Sequence, residues 1–375
     1  MTAQPNRRTS GGLIDRSKVV RFRFDGRAFS GHPGDTLASA LLANDEHMVA
    51  RGFKYHRPRG IFGAGSEDPT ALVQIGSDPA RTDPNTRVTE QEIYDGLEAL
   101  AQNAWPSLRF DVGAVNDLFS AFLPAGFYYK TFMGPLGNWM AFEPFIRRAA
   151  GLGKAPSASD PDRYESINRH CDVLVVGGGP AGLMAALTAA KAGARVILAE
   201  ETAALGGRLL SIDPDKVNLG DMAPTEWVES VAAELAGMDN VTVLTRTAAF
   251  GYYAQNFVGL WERVADHLAP NEQHANLPRQ RVWRIRAKEV VLATGAVERP
   301  LVFHENDRPG IMLAGAARTF THRYGVLPGS RVLVVANNNS AEECAVHPQE
   351  SAARVASMVG MHRGTDRGTA STPAE

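Results

Sequence analysis

Val173-Leu174-Val175-Val176-Gly177-Gly178-Gly179-Pro180-Ala181-Gly182 is the stretch from which the fold is read. Four apolar, largely β-branched residues run into G-x-G-x-x-G, and the alanine-rich segment Leu183 to Ala192 follows at once. Strand, glycine loop and helix in that order form the dinucleotide fingerprint. Gly177 allows the tight turn, Gly179 lets a pyrophosphate approach the backbone, and Gly182 lets the helix pack closely on the strand. The free amides and positive dipole end of the helix would then stabilise a diphosphate. Arg195 to Ala199 supplies a second strand, which completes a βαβ unit and calls for a parallel sheet.

Three further features extend the same site. Glu200 stands at the end of the second strand with Glu201 beside it, where an acid accepts hydrogen bonds from the adenosine ribose and repels a 2′-phosphate, so NAD or FAD is expected rather than NADP. Gly206-Gly207-Arg208 follows six residues later, placed to lie beside the diphosphate. Lys288 to Ala296 reads as a buried strand ending in Ala293-Thr294-Gly295, where the chain passes back under the dinucleotide. After the β-branched strand Val241 to Leu244, Ala248 or Ala249 is a candidate for backbone contact with the adenine.

Upstream, Val20, Phe22 and Phe24 alternate with Arg21 and Arg23, the period of a half-buried strand. Asp25-Gly26 is a hairpin turn, and Asp35 is placed to cap a helix beginning near Leu37. A small α+β module over 15–100 is expected. Trp105 to Phe145 holds eleven aromatic residues broken by Pro106, Pro124, Pro135 and Pro144, which argues against long helices. This arm, 101–168, reads as a connector packed across domains or as a partner interface, where aromatics are enriched. A Rossmann-type domain is expected over 169–343.

Composition excludes several classes. The 375 residues carry 39 basic and 41 acidic side chains with no basic stripe, so neither nucleic acid nor an anionic membrane is an expected partner. Met1 to Ser17 has no apolar stretch of a secretory signal, and no segment approaches the length of a membrane span, so a cytoplasmic protein is expected. Cys171 and Cys344 are the two cysteines, too few for a Cys₄ zinc site or a cysteine-ligated cluster, and no metal site is expected.

Several strings resemble the alpha subunit of heterotetrameric sarcosine oxidase. They are Gly31–Asn44 (GHPGDTLASALLAN), Phe53–Gly60 (FKYHRPRG), Asp111–Asp117 (DVGAVND), Pro124–Met133 (PAGFYYKTFM) and the nucleotide motif itself. The resemblance, from about Gly12 to Val335, implies a subunit of an assembly that oxidatively demethylates sarcosine to glycine with oxygen as acceptor. It further implies NAD on this chain, FAD and FMN on a beta subunit, gamma and delta subunits as further partners, and tetrahydrofolate as one-carbon acceptor in a later alpha domain. By motif, the NAD contacts would be Ala181 with Gly177, Gly178, Gly179, Pro180 and Gly182, then Glu200, Glu201, Thr202 and Arg208. Amine oxidation would occur on the beta chain, so no catalytic residue is assigned here. The N-terminal block resembles the β-grasp module that carries a 2Fe–2S cluster in related dehydrogenases. It lacks the cysteines, and a cluster-free module is expected.

Two other readings use the same fold: a stand-alone FAD-dependent oxidoreductase, and an interaction module with a degenerate site. Arg331 to Val335 starts a second repeat, but Asn337-Asn338-Asn339 stands where glycines would be. The polar end after Cys344 reads as disordered, and the chain reads as truncated or shifted in frame near Glu343. Leu313, Ala314 and Val332 to Val334 are then expected to lack apolar partners.

Overall fold

A computed structural model describes residues 4–123, 126, 132, 138–150, 153–213, 217–270, 272–273, 276–337 and 354–360. The alternating stretch at the start forms β1 (Val20–Phe24), its valine and phenylalanines buried and its arginines exposed. Asp25 and Gly26 both take positive φ, which turns the chain tightly into β2 (Arg27–Gly31), and Phe22 stacks on Phe29 at 5.8 Å. Helix α1 (Leu37–Ala43) follows with every residue buried. The N-cap is Thr36, whose hydroxyl accepts from the Ser39 amide at 3.2 Å, and not Asp35 as expected. Asp35 is withdrawn for a different task. It is fully buried and accepts from both terminal nitrogens of Arg7, from the His32 amide and from the Ser39 hydroxyl.

Short strands β3 (Ala50–Arg51) and β4 (Pro58–Arg59) form a hairpin across Phe53 to Arg57. Inside it the His56 ring lies 2.6 Å from Asp111, and the Arg51 guanidinium donates to the carbonyls of His56 and Leu108. Gly113 is required here, because a Cβ would meet the His56 ring at 2.3 Å. Strands β5 (Leu72–Ile75), β6 (Asp83–Arg87) and β7 (Leu97–Ala101) complete a sheet of order β2-β1-β7-β5-β6. The loop before β5 is organised on carboxylates: Asp68 accepts the amides of Phe62, Gly63, Thr70 and Ala71, and Glu67 those of Ala64 and Gly65.

This first core extends beyond 15–100. Leu313, Ala316, Phe320, Tyr324 and Val326 pack into it from α6 (Ala314–His322) and its flanks, and the fully buried Phe320 alone contributes roughly 1.5–3 kcal/mol. Backbone pairs reinforce the join, the Leu313 amide to Phe62 at 2.9 Å and the Leu327 amide to Asn6 at 2.8 Å. Leu313 is therefore covered, contrary to the expectation of unpartnered apolar surface there.

The arm departs from its expected irregularity. After a single turn, α2 (Val115–Leu118), the chain forms the twelve-residue helix α3 (Trp139–Ala150) with Pro144 inside it. Trp105, Phe110, Phe122 and Phe145 are exposed, while Phe127, Tyr128 and Tyr129 lie outside the described residues.

The second sheet begins earlier than expected, with β8 (Tyr164–Val176) starting inside the span 101–168 read as the arm. Helix α4 (Pro180–Lys191), β9 (Val196–Ala199), α5 (Pro224–Ala236) and β10 (Val241–Leu244) follow. Strands β11 (Thr247–Tyr253) and β12 (Phe257–Arg263) form an antiparallel hairpin that leads to β13 (Gln280–Leu292). The order β10-β9-β8-β13-β12-β11 places the parallel quartet β10, β9, β8 and β13 at one side of the sheet. Leu183, Leu187, Leu198, Val228, Val231 and Leu235 pack α4 and α5 onto one face. Sheet order reverses at β8, so the carboxyl ends of β8 and β13 mark the switch point where open α/β sheets bind ligands.

Lys288 to Leu292 is half-exposed, not the buried strand expected. Beyond α6, β14 (Arg331–Ala336) pairs in parallel with β15 (Arg354–Gly360), so seven residues of the polar end are a strand. Val334 is buried and Leu333 exposed, so the expected bare surface holds for only part of that run. Residues 344–353 and 361–375 lie outside the described residues.

Candidate functional site

The glycine loop lies over the carboxyl end of β8. Gly177 takes φ +104°, and a Cβ there would stand 2.3 Å from the Ala293 carbonyl oxygen; one on Gly182 would stand 1.8 Å from the oxygen of Gly177. These two glycines are required by close approach of backbone to backbone. Gly179 is the N-cap of α4 and Pro180 its first residue, the position at which proline is best tolerated because that amide has no intrahelical partner. The amides of Ala181 and Gly182, in the first turn, lie among those that an α-helix leaves without intrahelical acceptors.

Glu200 is buried, and both its carboxylate oxygens are engaged. One accepts the Gly178 amide at 2.7 Å; the other accepts the amide and the hydroxyl of Thr202, each at 2.9 Å. Glu200 therefore shapes the glycine loop from below, and a carboxylate retains further lone pairs for a ribose hydroxyl. Glu201 faces outward toward Ser66, whose hydroxyl lies 3.3 and 3.4 Å from its two oxygens. Partial burial raises the Glu201 carboxyl above its ordinary value, and the charges of Glu200, Glu90 and Glu67 push the same way.

Gly206 and Gly207 both take positive φ, and the Gly206 amide donates to Gly178 at 2.8 Å, so the glycine pair lies against the glycine loop. A Cβ on Gly207 would stand 2.9 Å from the Gly179 Cα. Arg208 opens onto solvent from the short helical turn Gly207–Ser211. The Ala293 amide donates to the Val176 carbonyl at 2.8 Å, which brings Thr294 and Gly295, both exposed, to the carboxyl ends of β8 and β13.

The structure puts Ala248 and Ala249 within β11, paired with Trp261 and Leu260 of β12. The segment that crosses beside Glu200 is Arg246-Thr247 instead. The Thr247 amide donates to the Glu200 carbonyl at 2.8 Å and the Arg246 amide to that of Thr202 at 2.9 Å. A strand and a turn are hard to separate in Leu244 to Phe250, since Thr245, Thr247 and Phe250 all favour strands; the positive φ at Arg246 is the feature that marks the crossing.

Residues 172–272 match the family described as FAD dependent oxidoreductase, and residues 17–104 the family described as 2Fe-2S iron-sulfur cluster binding domain. Across 97% of this chain the fold follows that of L-proline dehydrogenase from P. horikoshii, with a TM-score of 0.60 at 20% identity and 57% of that chain covered. Fold and site thus define an oxidoreductase of the FAD-dependent, Rossmann-like class, joined to a ferredoxin-type β-grasp module. Within that class the alpha subunits of sarcosine oxidase are among its relatives. Sarcosine oxidase subunit alpha of Rhizobium meliloti (strain 1021) is 52% identical over 93% of this chain and 35% of its own length. That of Corynebacterium sp. (strain U-96) is 37% identical over 88% of this chain and 29% of its own. The chain spans about a third of the length of these relatives.

The matches correct the expected cofactor set of NAD with no iron–sulfur cluster: one domain falls in an FAD-dependent family, the other in a 2Fe–2S family. The physical reason is that the cysteine count addresses ligands, whereas membership follows the β-grasp sheet and its packing, which do not depend on thiols. Tested on ligand chemistry, residues 17–104 hold no cysteine, Cys171 is buried in β8 and Cys344 lies outside the described residues. The residues of this module do not supply a thiolate set for a cluster. Among the described residues, no helix is long and apolar enough to cross a membrane, and no group of three or more His, Cys, Asp or Glu could hold a metal ion.

Proposed function

We propose that this chain is the dinucleotide-binding part of the alpha subunit of a heterotetrameric sarcosine oxidase. In the cytoplasm, with beta, gamma and delta subunits, it would serve the oxidative demethylation of sarcosine to glycine by oxygen, with the one-carbon unit passing to tetrahydrofolate. The observation that carries the reading is the joint between Glu200 and Gly178, which sets an acid below the glycine loop at the start of α4. An adenine dinucleotide fits this donor set. Its diphosphate would lie on the amides at the start of α4, and its ribose would lie toward Glu200, Glu201 and Thr202. Bound there, such a group supplies electron transfer; the chain's own residues bind and orient it. The apolar arm, with Phe110, Phe122 and Phe145 open to solvent, supports a partner chain seated on it.

The test is acid release of nucleotide from the purified chain, followed by chromatography and absorbance, with calorimetric titration of ADP-ribose. A released adenine dinucleotide, or ADP-ribose binding, is the expected result, and the absorbance distinguishes flavin from nicotinamide. A folded chain that releases no nucleotide and does not bind ADP-ribose would overturn the reading.

A further inference from the structure

We propose that the N-terminal module is a working part of the nucleotide site: Glu92 and Ser66 position, across the domain boundary, the two segments that wall its adenosine end. This rests on the dinucleotide reading above and adds residues that no glycine motif identifies.

The first segment is the crossing at Arg246-Thr247. Its backbone is tied to Glu200 and Thr202, while the Arg246 side chain leaves the Rossmann domain and meets Glu92 in a paired contact at 2.6 and 2.8 Å. Arg263 runs parallel to it. One of its terminal nitrogens donates to the Glu90 carbonyl at 2.7 Å, the other to the Glu201 carbonyl at 3.0 Å, and its amide donates to Arg246. The second segment is Glu201-Thr202, which Ser66 reaches from the carboxylate-organised loop. Both walls are thus held by side chains or carbonyls of residues 66–92. Between the domains Glu90, Gln91, Glu92, Arg246, Arg263 and His267 line a crevice that also touches Asp266. The His267 Nδ1 is buried there without a hydrogen-bond partner.

A two-armed ion pair between domains fixes distance and orientation together, as single contacts do not. Losing it would leave the crossing anchored by backbone bonds alone, free to shift relative to the ribose position. Because binding and domain docking share these groups, each must strengthen the other by the same factor.

The experiment uses the full chain and ADP-ribose. Glu92→Arg and Arg246→Glu should each weaken ADP-ribose binding by about tenfold, as expected when one partner of a partly buried charge pair is reversed. The double variant carrying both should recover most of the loss. Ser66→Ala, at an exposed hydroxyl whose removal cannot unfold the chain, should weaken binding by about threefold. Addition of ADP-ribose should also slow amide hydrogen exchange in 62–68 and 88–92, a readout that a merely structural role would leave unmoved. Binding unchanged in all variants, or exchange in those two loops indifferent to ADP-ribose, overturns the proposal while the dinucleotide reading stands. An unaltered chain that releases no nucleotide and does not bind ADP-ribose overturns both.

Discussion

The carboxylate of Glu200 accepts a hydrogen bond from the backbone amide of Gly178 at 2.7 Å, so the acid at the end of β9 and the loop at the end of β8 form one unit. A residue expected to face a ribose also sets the shape of the diphosphate loop.

Replacing Glu200 by glutamine tests that joint. Both carboxylate oxygens face N–H or O–H donors, so an amide must turn its NH₂ toward one of them. The expected loss is about 1–3 kcal/mol of stability, read by urea denaturation, with weaker ADP-ribose binding.

Gly182→Ala would place a methyl carbon 1.8 Å from the Gly177 oxygen. Relief requires α4 to move away from β8, at a cost of about 3 kcal/mol or more. Calorimetric melting should show the loss, and ADP-ribose binding should vanish at concentrations that saturate the unaltered chain.

Cys171 is buried, and burial together with the charge of Asp172 pushes its thiol up to about 11. At pH 8 about one molecule in a thousand would carry the thiolate, the species that alkylates. In a Cys344→Ser chain, iodoacetamide should leave Cys171 unmodified under native conditions and label it promptly in urea. Rapid native labelling, followed by mass spectrometry, would contradict the buried assignment.

Glu201→Gln should stabilise the chain at pH 7 and leave it unchanged at pH 4. The native carboxyl titrates above its ordinary value of 4.5, so the folded state binds the proton more tightly than the unfolded chain. Stability is therefore lost as pH rises from that value through the raised native one, and glutamine removes the loss. The gain should be below about 1 kcal/mol because the group is open to solvent on one side. Melting curves at the two pH values give the comparison.

Much of the nucleotide domain was legible in residue order. Val173 to Gly182 can form a strand, a turn and a helix start in only one order, and Gly177 and Gly182 are the residues whose Cβ would strike backbone. Glu200 was legible because it ends an apolar strand. Its engagement with Gly178 was not, since a carboxylate at that position gives no sign of which way it turns. That Arg246-Thr247 runs beside Glu200 was not legible, because a strand-forming run conceals one residue of positive φ.

Domain limits were less legible, for a related reason. Leu313 to Val326 reads as part of the Rossmann domain by position along the chain, yet its apolar face fills the core of the first module. Cysteine content excluded thiolate ligation within 17–104, but a family is kept by the sheet that those residues build, and the sheet is intact.

By itself, then, the sequence determined the βαβ unit, the glycine loop and the hairpin at Val20 to Gly31, because each is set by residues at most 23 positions apart, as in the pairing of Val173 with Val196. Tertiary structure alone decided that Glu92 meets Arg246, that Ser66 meets Glu201 and that Phe320 closes the other domain's core. Those pairs are far apart in the chain, and apolar periodicity states that a face will be buried without stating against what.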